Sequence, residues 1–249
     1  MSTEPNNRIL VAGASGVIGR PLCRLLVEDG WHVIGTTRSM DKAEALGAIG
    51  VEAVIVDVFD EKELHRVVSA ARPGIVVHQL TDLPPGLDPA KMAEGRVRNA
   101  RIRDIGTRNL IAAAVACRVT RMVVQSIAFA YEPGPMPYRE GSPLSAASVA
   151  SFEQQVIDAP LVGIVLRYGK LYGPGTGFDN PPSDGPVHVD AAADAARLAV
   201  TRGDAGIYNV VEDDGTVSSQ KAARKLGWNS SFRLNKANQH IKGTLQAKR

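Results

Sequence analysis

From Arg8 onward, short apolar runs alternate with longer stretches whose apolar residues recur at helical spacing. The runs predict strands at Ile9–Ala12, His32–Thr36, Ala53–Val56, Ile75–His78, Arg121–Gln125 and Val162–Arg167. The stretches between them predict helices at Val17–Asp29, Met40–Leu46, Glu61–Ala71, Arg96–Cys117 and Ala147–Asp158. Strand and helix in regular alternation make crossover units, so the expected class is α/β, a doubly wound parallel sheet with helices on both faces. Ligands of such sheets bind outside the carboxyl ends of the strands. After Arg167 the pattern breaks. Tyr172–Gly177 and Asn180–Pro186 are rich in turn residues. A short strand at Val187–Val189, a helix at Asp190–Thr201 and a strand at Gly206–Val211 are expected to build a small second lobe. The division is residues 1–167 for the sheet and 168–249 for a substrate lobe and tail, the basic end from Lys236 to Arg249 being a solvated terminus.

The first strand passes into the first helix through Gly13-Ala14-Ser15-Gly16-Val17-Ile18-Gly19, with its glycines three apart. Gly13 suits a tight reversal, Gly16 lets backbone approach a pyrophosphate, and Gly19 lets the helix pack closely on the sheet. The first N–H groups of that helix are unpaired and its dipole is positive there, so phosphate is the natural ligand. Turns use glycine for backbone reasons alone, but here strand, turn and helix coincide. The segment marks a dinucleotide-binding Rossmann fold, with Gly13, Ser15, Gly16, Val17 and Ile18 as cofactor contacts.

Composition narrows the partners. A chain of 249 residues buries a sizeable core, and a net charge of +3 is too small to imply nucleic acid or an acidic membrane. Cys23 and Cys117 both fall in predicted helices and read as reduced thiols. Met1–Asn7 is polar without a signal core, and no apolar run approaches the ~20 residues of a membrane span, so the expected compartment is the cytoplasm. The five histidines are scattered and the cysteines are far apart, so no metal-ligand spacing exists.

Five further segments, with the glycine turn, resemble one family. Val56-Asp57-Val58 resembles its acid-plus-apolar adenine contact, and Val76-Val77-His78-Gln79-Leu80 its V-x-H-x-A strand end beneath the cofactor. Gly106-Thr107-Arg108-Asn109-Leu110 resembles its G-T-x-N-L helix. Arg167–Gly175 resembles its R-x-x-N-x-Y-G-P-G, and Val187-His188-Val189-Asp190 its V-H-V-D-D. From Arg8 to about Trp228 the chain resembles the extended and atypical branch of the short-chain dehydrogenase/reductase superfamily, the NAD(P)-dependent epimerase/dehydratase family. The resemblance implies nicotinamide cofactor binding, with Asp57, Val58, Gln79 and Leu80 among the contacts, and a dimer paired through the helices at Arg96–Cys117 and Ala147–Asp158.

The departures concern chemistry. The family's catalytic Tyr-x-x-x-Lys falls on Ser145 and Val149, so the dyad is missing. Ile127 stands where a catalytic Ser or Thr is usual, and Arg103-Asp104-Ile105-Gly106-Thr107 replaces N-V-x-G-T. The segment between Pro174 and Val187 is short, which shrinks the substrate lobe.

At the end of the second strand an acid would bind the ribose 2′-OH of NAD, whereas an Arg accommodates the 2′-phosphate of NADP. Thr37 stands in the acid's place, followed by Arg38, so the cofactor is expected to be NADP rather than NAD. Asp57 either accepts from adenine or caps its own turn. His78 is either a satisfied core residue or a proton carrier. Reduction of a carbonyl needs a proton for the developing alkoxide. Without the dyad, the candidates are Ser126, also a candidate nicotinamide contact, with Tyr131, Tyr168 and Lys170. Lys170 replaces a neutral Asn that faces substrate in the family; it is expected to point into the cleft and to favour an anionic substrate. The arginines between Arg96 and Arg108 read as a solvated or dimer-facing helix. Two functions follow: an NADP-dependent oxidoreductase or epimerase-like enzyme for a small polar carbonyl or hydroxyl compound, or a cofactor-binding regulatory protein without turnover.

Overall fold

The structure is a computed structural model describing residues 6–234. The predicted basic tail and the first five residues lie outside the described residues. Seven parallel strands form one sheet: β1 (Arg8–Ala12), β2 (His32–Thr37), β3 (Glu52–Ile55), β4 (Ile75–His78), β5 (Arg121–Ile127), β6 (Val162–Tyr168) and β9 (Gly206–Val210). Their order is β3-β2-β1-β4-β5-β6-β9, so the order reverses beside β1, where a crevice opens at the carboxyl edge.

Strand periodicity sorts the core into two layers. Ile9, Val11, Val33, Val77, Val123 and Ile164 point to one face, under α1 (Gly19–Glu28) and α7 (Val189–Thr201). Leu10, Ile34, Val76, Met122, Val124 and Val165 point to the other, under α3 (Glu61–Ala71), α5 (Thr107–Ala116) and α6 (Ala147–Ile157). Strands buried on both sides read as continuous apolar runs, which is why β1 and β4 stand out in the sequence. The shorter helix α2 (Met40–Gly47) starts at Ser39, whose hydroxyl caps it, and α3 starts at Asp60, whose carboxylate accepts from the Glu63 N–H at 3.0 Å.

Two expectations need correction. The helix Arg96–Cys117 is not continuous: α4 (Met92–Arg101) and α5 are joined by a π-turn over Ile102–Gly106. Thr107 holds that wide turn, its hydroxyl donating to the Ile102 carbonyl at 3.2 Å, while Gly106 lies against Val58. The helix and strand expected in the second lobe also sit elsewhere. β9 pairs with β6 and extends the main sheet, while α7 packs beside α1 on one of its faces. Outside that sheet remain the two-stranded β7 (Lys170–Tyr172) and β8 (Pro186–His188), the loops around them, and a small cluster of Ala128, Val211 and Val217. The last helix, α8 (Gln220–Leu226), ends at Gly227 in the left-handed region.

Candidate active site

A groove of about 310 Å³ opens at the carboxyl edge where β1, β2, β3 and β4 end. The glycine turn contributes Gly13, Ser15 and Gly16, and β2 contributes Thr37 and Arg38. Asp57 and Val58 follow β3, and Gln79 and Leu80 follow β4. Val17, exposed, and Ile18, buried, are not on its wall. Gly13 adopts φ +86°, and a Cβ there would lie 2.8 Å from the Gln79 carbonyl carbon. At Gly19 a Cβ would overlap the Gly13 carbonyl oxygen, so this glycine serves the turn itself as well as the helix–sheet contact. A Cβ on Gly16, by contrast, meets only the Gly13 oxygen, at 3.2 Å, leaving the groove side open to a ligand.

Each wall has polar groups to spare. The hydroxyls of Ser15 and Thr37 lie 3.3 Å apart across the mouth. Arg38 extends over the rim with its side chain 56% exposed and its guanidinium 3.6 Å from Asp82, which also lies 3.5 Å from Arg98. Asp57 Oδ1 accepts from the Phe59 N–H at 3.0 Å, so the turn-capping role is real and involves one of its two oxygens. Gln79 is 4% exposed, its Nε2 donates to the Tyr168 hydroxyl at 3.5 Å, and its Oε1 is buried with no partner among the described residues. A buried amide end facing a groove unpaired is costly unless a ligand completes it. Open backbone at Gly16, surplus hydroxyls and an orphaned amide oxygen together fit a dinucleotide.

His78 underpins this wall. Its Nδ1 accepts from the Leu80 N–H at 3.1 Å, so its Nε2 carries the proton and donates to Thr107 at 3.0 Å. Burial and then the nearby Arg103 charge hold its pKa down at about 4. A neutral imidazole with both nitrogens engaged is a structural clamp, not a proton carrier.

The other half of the edge is closed. Ser126 donates to Glu153 Oε1 at 2.6 Å, and Arg167 grips both carboxylate oxygens at 2.9 and 2.6 Å, with both side chains 3% exposed. Arg167 also donates to the Tyr131 hydroxyl at 2.8 Å, and Tyr131 in turn donates to Asn209 at 2.6 Å. Burial pushes the Tyr131 phenol up despite Arg167, and burial pushes Tyr168 up further. Ser126 does not reach the groove wall. Ser145 lies ahead of α6, not on it, and its hydroxyl donates to the Ala130 carbonyl; Val149 is on α6 and buried. Among the described residues no tyrosine–lysine pair stands in their place.

Lys170 departs from expectation most. Its ammonium donates to the Ser183 carbonyl at 3.1 Å and lies 3.7 Å from Asp184, with the side chain 40% exposed. It closes a surface turn and does not line the groove. Its charge is matched by Asp184, which removes the basis for an anion pocket at this residue. Arg103 belongs to a run of arginines that reads as solvated, yet it is half-buried and its charge acts on His78. The signal that could have found it is its place in the N-V-x-G-T pattern. Among the described residues no helix is long and apolar enough to cross a membrane, and no cluster of three metal-ligating side chains gathers.

The comparisons agree with this geometry. A reductase of Streptomyces sp, the 3-diazoavenalumate denitrifying reductase, is 37% identical over 254 residues, covering 88% of this chain and 82% of the relative. The ceramide reductase of Caulobacter vibrioides is 29% identical over 175 residues, 70% of this chain, and the match spans only 50% of that protein's length. The fold superposes on the UDP-glucose 4-epimerase of Thermus thermophilus, solved with NAD, at TM-score 0.74 and 22% identity, over 91% of this chain and 95% of that one. With the NAD dependent epimerase/dehydratase family model matching residues 9–192, this chain belongs to that family, as an enzyme of its reductase or epimerase kind.

Proposed function

We propose that this chain is an NADP(H)-dependent reductase that replaces a diazo group on an aromatic acid by hydrogen, releasing dinitrogen. The observation that carries the reading is that the candidate proton donors near the sheet edge are engaged or, for Tyr168, sealed in the core with burial pushing the phenol up. Ser126 serves Glu153, Tyr131 serves Asn209, His78 is a neutral clamp, and Lys170 belongs to a surface turn. A carbonyl or hydroxyl substrate, expected from the sequence, needs such a donor for its alkoxide. A reduced nicotinamide, when bound, supplies a hydride. In reduction of an aryl diazonium the new C–H bond forms with the hydride pair as the C–N bond breaks. That pair leaves nothing to protonate, because nitrogen departs as neutral N₂. The enzyme's residues then need only bind, orient and exclude water.

Two further features support this reading. The relative named as a diazo-compound denitrifying reductase shares more than a third of its residues over most of both chains. Leu83 and Phe129 are exposed apolar side chains on the loops that leave β4 and β5 at the carboxyl edge, apolar surface suited to an aromatic ring. Thr37 in place of an acid, with Arg38 and Lys42 on the groove wall, supports NADP over NAD.

The test offers 4-carboxybenzenediazonium with NADPH deuterated at the transferable position, against aldehydes, ketones and UDP-glucose. Deuterium at the ring carbon that bore nitrogen, with one NADPH oxidised per N₂ above the protein-free rate, is expected. Turnover of a carbonyl or sugar nucleotide instead overturns the proposal, and binding of NADPH without any oxidation returns the regulatory alternative.

A further inference from the structure

Gln79 stands where the groove wall meets the closed half. Its N–H donates to the Ala12 carbonyl at 2.8 Å, so the pleat of β4 carries one residue further and its side chain points to the face of Val77. A Cβ on Gly13 would lie 2.8 Å from the Gln79 carbonyl carbon, so this backbone is wedged in place. From there the side chain reaches past β5 to Tyr168, which ends β6 and is buried.

These two polar groups do not satisfy each other. Gln79 Nε2 donates to the Tyr168 hydroxyl at 3.5 Å, a long bond. Gln79 Oε1 accepts nothing, and the Tyr168 O–H has no acceptor among the described residues. Turning the amide end for end gives Oε1 the tyrosine's proton but leaves Nε2 with its hydrogens unaccepted. Burial keeps the phenol protonated, so ionisation does not resolve the pair. In either orientation one end of a buried amide on the groove wall is left over. Ser126, Glu153 and Arg167, close by, pair among themselves. A tie between strands would be built as they are; a leftover amide end suits a ligand that completes it.

The order of groups along the wall shows which part of a ligand that is. Arg38, Ser39 and Lys42 line the groove beyond β2, Gly13, Ser15 and Gly16 line it at β1, and Gln79 lines it at β4. A dinucleotide with its pyrophosphate on the glycine turn and its adenosine toward β2 presents its other half to Gln79. That half carries ribose hydroxyls and a carboxamide, and each of these both donates and accepts. We propose that the Gln79 side-chain amide hydrogen-bonds the nicotinamide riboside half of the cofactor, with Tyr168 as the positioning residue that holds the amide. The inference rests on the nicotinamide-dependent reading above and is independent of the diazo substrate. It assigns a half of the cofactor to one side chain, and it makes the ligand-free protein less stable for keeping that side chain.

Calorimetry and thermal denaturation of the full chain separate this role from a structural tie. Gln79→Met/Tyr168→Phe removes both polar groups and keeps most of their volume. Without ligand, its thermal midpoint should lie about 2–4 °C above that of the unmodified protein. Its NADP⁺ affinity should fall about five- to tenfold, the worth of one hydrogen bond. Binding of 2′,5′-ADP, which has only the adenosine end, should stay within about twofold. Tyr168→Phe alone should lose part of the NADP⁺ affinity. Gln79→Asn, which withdraws the amide by one methylene, should lose most of what the double variant loses. 2′-Phospho-ADP-ribose locates the partner: a loss that persists with it assigns the ribose, and a loss absent with it assigns the carboxamide. A lower midpoint in the double variant, unchanged NADP⁺ affinity, an equal loss for 2′,5′-ADP, or no dinucleotide binding by the unmodified protein would overturn the proposal. If the double variant is not recovered folded, Gln79→Asn decides by the same ligand comparison. If NAD⁺ is the tighter cofactor, the comparison runs with NAD⁺, ADP-ribose and AMP, so the NADP assignment is judged separately. Failure of diazo reduction with these affinities intact falls on the reductase reading alone.

Discussion

The carboxyl edge of one sheet carries two unlike halves. Around β1 to β4, polar groups face outward with capacity left over: the Gly16 backbone, the Ser15 and Thr37 hydroxyls, and the unpartnered Gln79 oxygen. Around β5, β6 and β9, the polar groups face one another, and Glu153, Arg167, Tyr131, Asn209 and Ser126 form one buried network. The first half is built to be completed by a ligand. The second completes itself, and the side chains that elsewhere would move protons hold three strands and a helix together. Binding and acid–base chemistry have thus come apart on a single scaffold.

Removing one member of the self-contained half should have the largest effect. Glu153→Ala leaves the Arg167 guanidinium buried without its carboxylate, and such a change costs about 3–5 kcal/mol. Urea denaturation should show that loss, while NADPH affinity in the folded variant stays within about twofold. A variant as stable as the parent would mean that the network is not what closes this half.

Acid should act on the clamp between the halves. Above pH 6.5 His78 is neutral both folded and unfolded; as pH falls, the unfolded chain takes up a proton that the folded site refuses until about 4. Because the folded pKa is depressed, this contribution is present above the unfolded value and is lost on descent from 6.5 toward 4. The loss is at most roughly 3 kcal/mol. Stability measured across that window should fall, and His78→Asn should flatten this part of the slope. An unchanged slope in the variant would show that the imidazole is not the group responsible.

These halves also differ in how far the sequence discloses them. The glycine turn is legible because its constraints are local: Gly13, Gly16 and Gly19 meet one another within seven residues. Continuous apolar runs and helical spacing make β1, β4 and their helices equally plain. The network is not local. Arg167 reaches Glu153 across 14 positions and Tyr131 across 36, and Tyr131 reaches Asn209 across 78. No local pattern records such pairings, so Ser126 and Tyr131 stand out as polar residues near an expected site without their partners. The same reason applies to β9: an apolar run predicts a strand but not the neighbour it joins. The π-turn is equally hidden: Thr107, whose hydroxyl meets both the Ile102 carbonyl and His78, looks in the sequence like one more helical position.

At the rim of the open half, the proposed contact of Arg38 with a 2′-phosphate tests whether surplus donors are meant for a ligand. Arg38→Ala should weaken NADPH binding by about 1.5–3 kcal/mol, roughly ten- to a hundredfold, with NADH binding little changed. Asp82 competes for the same guanidinium. Asp82→Asn should therefore strengthen NADPH binding, by up to about fivefold for an exposed pair. Calorimetry that finds equal NADPH and NADH affinities in the unmodified protein would end the NADP assignment.

Lys170 should give the smallest effect, and its smallness is informative. It lies next to the closed half, occupies a position that suggests substrate contact, and carries the charge first expected to attract an anion. Its ammonium, however, is matched by Asp184 and the Ser183 carbonyl on an exposed turn, where such contacts contribute little. Lys170→Met keeps most of the stem and removes the charge. Stability should change by less than about 0.5 kcal/mol, and NADPH affinity and diazonium turnover should be unchanged. If diazonium turnover instead falls in Lys170→Met while NADPH affinity holds, the charge that reads the substrate sits on the surface loop, and the division between an open and a closed half no longer describes where recognition occurs.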